Sequence, residues 1–202
     1  MANFFRKLFL FRDSQIPPPT QINIAVTVSS STLHKYSSDD EFHITIEATL
    51  PQTPNTPDKP LTILVFGTLL DPSGIALYEN GFDFVNVDTG TPAKRPSLTK
   101  HYSFGGRYFV TLQPVITNEN EAKVAAAFSQ VTYLEVGSMY RVELGNKLNQ
   151  ISWYRYGSKE QVLEGQDAGA GLVKRRPELV GDSEMQPIPL VMQGSASFTV
   201  EE

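Results

Sequence analysis

LTILVFGTLLDPSGIALYENGFDFVNVDTG, residues 61–90, decides the fold class. Residues 61–66 form a continuous apolar run, the pattern of a short strand covered on both faces. Gly67 breaks the run, Pro72-Ser73-Gly74 supplies turn chemistry, and a second strand begins at Phe82. The alternation of that second strand slips phase at Phe84-Val85, which predicts a bulge. Asp88-Thr89-Gly90 then closes it with another turn. A chain that packs strands and turns this densely is building sheets.

The same grammar extends in both directions. Ile22, Ile24, Val26 and Val28 alternate with Asn23, Ala25 and Thr27. Phe42, Ile44, Ile46, Ala48 and Leu50 alternate with His43, Thr45, Glu47 and Thr49, so both stretches read as half-buried strands. Residues 29–40 are polar and read as a loop. Residues 51–60, PQTPNTPDKP, carry four prolines that cannot donate to a ladder and read as a connection. Further strands are expected at 108–112, 140–144, 151–156 and 195–200. Residues 122–128 are ambiguous, because three alanines favour helix while the flanking strands favour an extended segment. Residues 157–186, rich in Gly, Glu, Lys and Arg, read as one long flexible connection. About eight strands without a long amphipathic helix predict an all-β fold: an antiparallel, immunoglobulin-like two-sheet sandwich, with a β-barrel as the alternative. The expected organisation is an N-terminal amphipathic and proline-rich segment at 1–20 and a single domain at 21–202.

Composition removes several classes of function. The 202 residues include no Cys, which excludes disulfides, thiolate nucleophiles and Cys-ligated metals. A single domain of this length buries roughly 70% of its unfolded surface and needs no metal to fold. The net charge of −5 argues against nucleic acid as a partner. Histidines 34, 43 and 101 are widely spaced, no His-Glu-x-x-His occurs, and no metal or cofactor is expected. There is no nucleophile elbow, and the glycines of 165–171 do not open a helix after a strand. The opening MANFFRKLFLFRD lacks the uninterrupted apolar run of a signal peptide and is too short to span a bilayer. The expected location is therefore the cytoplasm, with secretion left open. As a helix, this segment would place Phe4, Phe5, Leu8 and Phe11 on one face, either as a membrane-surface contact or as packing onto the sandwich.

Three pieces together resemble a known family: residues 60–90, YFVTLQP at 108–114, and EVGSMYRVEL at 135–144. With Gly67-Thr68-Leu69-Leu70-Asp71 and Gly137-Ser138-Met139-Tyr140-Arg141-Val142 at the matching places, the chain looks like the non-catalytic N-terminal sandwich of fungal deuterolysin-type metalloproteases and related stand-alone fungal proteins. The resemblance implies the sandwich alone. The protease part and its zinc motif are missing, so the activity does not carry over.

Two clusters of residues are chemically suggestive. His101 and Tyr102 precede Gly105-Gly106 and Arg107, where bare backbone admits a ligand and a guanidinium binds anions. With a carboxylate from Asp83 or Asp88, His101, Tyr102 and Arg107 would make an acid–base site. The alternative is a glycine hairpin whose rings cap the sheet edge. Trp153, Tyr154, Arg155 and Tyr156 form the densest aromatic patch. Alternation puts Trp153 on the same face as Arg155, and because Arg is seldom buried that face is expected to be open. Lys174-Arg175-Arg176 is the sole tribasic run and reads as solvated charge.

The leading expectation is a non-enzymatic module that binds a protein partner or small ligand through Gly105, Gly106, Trp153, Tyr154, Arg155 and the 157–186 connection. The rivals are a small enzyme (hydrolase, isomerase or cyclase of secondary metabolism) built on His101, Tyr102, Asp83 and Arg107, and a peripheral membrane protein anchored by Phe4, Phe5, Leu8 and Phe11.

Overall fold

The computed structural model describes residues 16–36, 42–51, 57–71, 75–77, 79–94, 109–113, 122–127, 133–162 and 186–202. Three sheets make up the described fold, and it is all-β as expected. The first contains β1 (Ile22–Val28), β3 (His43–Thr49), β7 (Ala122–Ala127), β9 (Gln150–Ile151) and β11 (Ile188–Met192), in the order β7-β3-β1-β11-β9. The second places β4 (Leu61–Leu64) between β10 (Tyr154–Tyr156) and β6 (Phe109–Leu112). The third runs β2 (Thr32–His34), β12 (Ser197–Glu201), β8 (Met139–Leu144), β5 (Phe82–Asn86).

Alternation drives each sheet to bury one face. Ile22 and Ile24 of β1 are sealed, as are Ile44, Ile46 and Ala48 of β3, while Asn23, Thr45 and Glu47 lie partly open. In the third sheet Phe84, Tyr140, Val142, Phe198 and Val200 point inward. Phe198 joins the sheets: its ring centroid lies 4.8 Å from Phe42, which leads into β3, 5.9 Å from Phe84 and 6.3 Å from Tyr140. These distances suit tilted and edge-on aromatic packing. The first two sheets are linked by chain continuity. β9 pairs with β11 and β10 with β4, so residues 150–156 pass from one sheet to the other.

Several expectations need correction. Two pairings are parallel, β1 with β11 and β2 with β12, within an otherwise antiparallel arrangement. The phase slip in the Phe82 strand is not a bulge. β5 and β8 stay in unbroken register from Phe82–Leu144 to Asn86–Tyr140. Val85 points to the outer face and is buried there because the chain turns back after Gly90 and bridges Val85 with Pro92. Asn86 organises that turn, its side-chain oxygen accepting from the Asp88 and Thr89 amides at 3.0 Å each. The polar stretch read as a loop contains β2, and the ambiguous alanines form β7, whose backbone pairs with β3 from Ala48–Ala122 to His43–Ala127. β11, within PIPLVM, is a strand that the sequence reading does not include, and its Pro189 cannot donate to a ladder. It is tolerated beside the two-residue β9, where Leu190 N–H still reaches the Asn149 carbonyl at 2.8 Å.

The long connection opens in order. Ser158 caps the single-turn helix α1 (Lys159–Val162) with Gln161: the Gln161 amide donates to Ser158 Oγ at 3.4 Å and the Ser158 amide to Gln161 Oε1 at 3.0 Å. This is a reciprocal capping box. Gly157 enters it with φ of 124°, a conformation side chains rarely adopt, and a Cβ there would lie 3.1 Å from Val162.

Candidate functional site

The aromatic patch is assembled on the outer face of the β10-β4-β6 sheet. In β4, Leu61 and Ile63 turn to the main core, so Thr62 and Leu64 turn outward. Register places Thr111 opposite Thr62 and Phe109 opposite Leu64. Trp153 and Arg155 share this outer face, as alternation required, with the Arg155 guanidinium 5.6 Å from the Trp153 ring centroid. The expectation that this face is open is wrong. Trp153 is only 5% exposed, packed edge-on to Phe109 at 5.3 Å and flanked by Leu64 and Val162. The cover is the start of the long connection: α1 lies against β6 and packs Val162 onto the Phe109–Trp153 cluster. Arg155 sits over the cluster with its Nη1 donating to the Tyr154 carbonyl at 3.1 Å, so it packs its stem and face without being sealed.

A hydroxyl relay ties this cover down. The Thr62 hydroxyl donates to the Gly157 carbonyl at 2.8 Å, and the Lys159 amide donates to Thr111 Oγ1 at 2.9 Å. The two threonine oxygens are 3.0 Å apart. Thr62 has one proton and spends it on Gly157, so the Thr111 hydroxyl must donate to Thr62. Thr62 is fully buried, which makes this a structural latch with its polar atoms satisfied.

Tyr154 faces the other way, into the main core, and burial pushes its phenol above the usual tyrosine range, partly offset by the charge of Arg155. Tyr156 anchors the entry to β1 by donating its hydroxyl to the Pro17 carbonyl at 3.1 Å. These rings stabilise the fold and offer no open aromatic platform.

Of the acid–base candidates, His101, Tyr102 and Arg107 lie outside the described residues, as do Gly105 and Gly106. Asp83 is placed opposite Glu143 on the outer face of the third sheet, where Arg141 also points and Arg141 pairs with Glu143. Asp88 stands exposed in the turn after β5. Phe4, Phe5, Leu8 and Phe11 and the Lys174-Arg175-Arg176 run are likewise outside the described residues. Among the described residues no three His, Asp or Glu side chains gather closely enough to hold a metal, and no helix is long and apolar enough to cross a membrane.

Sequence reasoning missed a different surface. Among the described residues the exposed large hydrophobics are Tyr36 at 72%, Met139 at 44%, and Val87 and Val136 at 42% each. All four lie at one end of the third sheet. β2 runs parallel to β12, while β8 runs antiparallel to both β12 and β5. The C-terminal ends of β2, β12 and β5 and the N-terminal end of β8 therefore meet. Tyr36 follows β2, Val136 and Met139 lead into β8, and Val87 follows β5. The ends are cross-bonded: Val87 N–H to the Met139 carbonyl at 2.9 Å, Gly137 N–H to Val200 at 2.8 Å, and Lys35 N–H to Glu201 at 2.9 Å. On the outer face Val87, Met139, Thr199 and Thr32 form one row across four strands. Each residue is unremarkable in sequence; only strand order brings them together.

Comparisons with protein-family models, characterised proteins and solved structures give no match for this chain.

Proposed function

We propose that this chain is a non-enzymatic interaction module whose contact face is the Val87–Met139 end of the β2-β12-β8-β5 sheet. One observation carries the reading: the exposed large hydrophobics of the described residues converge on that end and do not scatter. Single apolar residues on a surface need no explanation, whereas a shared location marks contact sites. Pairing also supports a rigid platform, since Val87 and Met139 are joined through the backbone and backed by Tyr140, Val200 and Phe198 in the core. The face around Trp153, by contrast, is already occupied by the chain itself. The same proposal keeps the immunoglobulin-like description of the scaffold, in line with the resemblance to the deuterolysin-type sandwich. It places the protein in the cytoplasm, in keeping with a chain free of cysteine.

The test is quantitative affinity capture with the intact protein, comparing wild type with Val87→Glu/Met139→Glu and with a control substitution at Lys147. Lys147 lies past the opposite end of β8. A genuine partner is expected to be retained by wild type and the control and lost, by about tenfold or more, from the double variant. Partners retained equally by all three would overturn the assignment of this face.

A further inference from the structure

Resting on that reading, we infer that the partner is a polypeptide segment presenting apolar side chains flanked by lysine or arginine. The row at this end of the sheet, apolar at Val87 and Met139 and continued by Thr199 and Thr32, is rimmed by carboxylates. Asp88 follows Val87, Glu135 precedes Val136, Glu201 ends β12 and Glu202 follows it; all four are exposed. Glu201 belongs to the same outward-facing set of β12 as Thr199, so its carboxylate borders the row directly. Among the described residues, Lys35 is the one lysine or arginine at these strand ends. Lys35 is committed locally: its Nζ donates to the Leu134 carbonyl at 2.7 Å and stands 5.7 Å from the Tyr36 ring centroid. Arg141, the next cation along β8, is held by Glu143.

A part-apolar strip with an acidic rim selects its partner by charge. Anionic lipid headgroups and nucleic-acid phosphates meet four carboxylates there and are repelled. A segment whose aromatic or aliphatic groups sit on Val87 and Met139 finds the rim complementary when cations flank them. The row spans three inter-strand steps, roughly 14 Å, enough for about four residues of extended chain. The ligand is thus a short basic-apolar stretch of protein. Because the rim carboxylates are exposed, their contribution is salt-sensitive.

The methionines make the test local. The full chain carries four, at 1, 139, 185 and 192, so methyl-labelled protein reports Met139 separately. It is titrated with a synthetic peptide, Lys-Phe-Arg-Leu-Lys-Phe-Arg, and with a counterpart in which every cation is glutamate. The basic peptide is expected to shift the Met139 methyl at least about tenfold more tightly than the acidic one, with binding weakened by added salt. Glu135→Lys/Glu201→Lys, exposed positions that leave the core intact, is expected to abolish that preference. Equal binding of the two peptides overturns the charge assignment while leaving the apolar contact face standing. No shift of Met139 with either peptide overturns the inference. So does a shift of Met139 by phosphatidylserine vesicles in place of the basic peptide, since the face would then be a membrane contact.

Discussion

Thr62 shows how one side chain carries information that sequence position conceals. In LTILV it looks like a small polar interruption of a buried strand, and nothing nearby indicates a partner. Its partners lie 49 and 95 residues away, at Thr111 and Gly157. Replacing it with valine keeps the shape but leaves the Gly157 carbonyl without its donor and the Thr111 hydroxyl without its acceptor. Thr62→Val is expected to cost about 1–3 kcal/mol in urea unfolding, with Thr62→Ser costing less. A valine variant as stable as wild type would remove the latch from the account. Trp153 gives the complementary lesson: alternation correctly put it beside Arg155, but exposure depends on what covers a face, and that is set by the packing of α1 against β6. Tyr154 adds a pH signature. Its phenol is raised in the folded state relative to the unfolded one, so the associated stability is complete below the ordinary value of 10.0 and is lost as pH rises through the folded-state value. Tyr154→Phe is expected to flatten the alkaline decline of stability between neutral pH and strong base. An unchanged alkaline profile would count against burial of that hydroxyl.

At the level of elements, alternating strands were legible because half-burial writes a period of two directly into residues such as 22–28 and 42–50. β2 and β11 were hidden: the first by a polar composition over three residues, the second by Pro189 and by a parallel partner distant in sequence. The start of the long connection was hidden for another reason, since its single helical turn is held by a capping box and a latch with no apolar stripe of its own. Because Trp153 is the sole tryptophan, its emission reports that element alone. Ser158→Ala removes the cap, worth about 0.5–2 kcal/mol, and Val162→Ala removes the apolar contact. Both variants are expected to shift the emission to the red and raise acrylamide quenching while the cooperative melt persists. Emission indistinguishable from wild type in both would show that α1 is not what covers the ring.

Across the whole molecule, the main core closes around Phe198 and its neighbours, and its hydrophobic pattern was readable except where β2 and β11 contribute Leu33, Ile188 and Leu190. The contact face was not. Tyr36, Val87, Val136 and Met139 are spread over about half the chain and acquire a common location only through the order β2-β12-β8-β5. One-dimensional pattern reveals which residues turn inward; which outward residues become neighbours depends on topology. The central claim is that this end of the sheet, and no other described face, meets the partner. The most direct measurement is site-specific photo-crosslinking in cells, with a photoreactive residue at position 139 and, separately, at position 147 beyond the opposite end of the same sheet. The expected result is a discrete protein adduct from position 139 that vanishes with Val87→Glu and is missing from position 147. Adducts of equal yield from both positions, or none from 139, would contradict the claim.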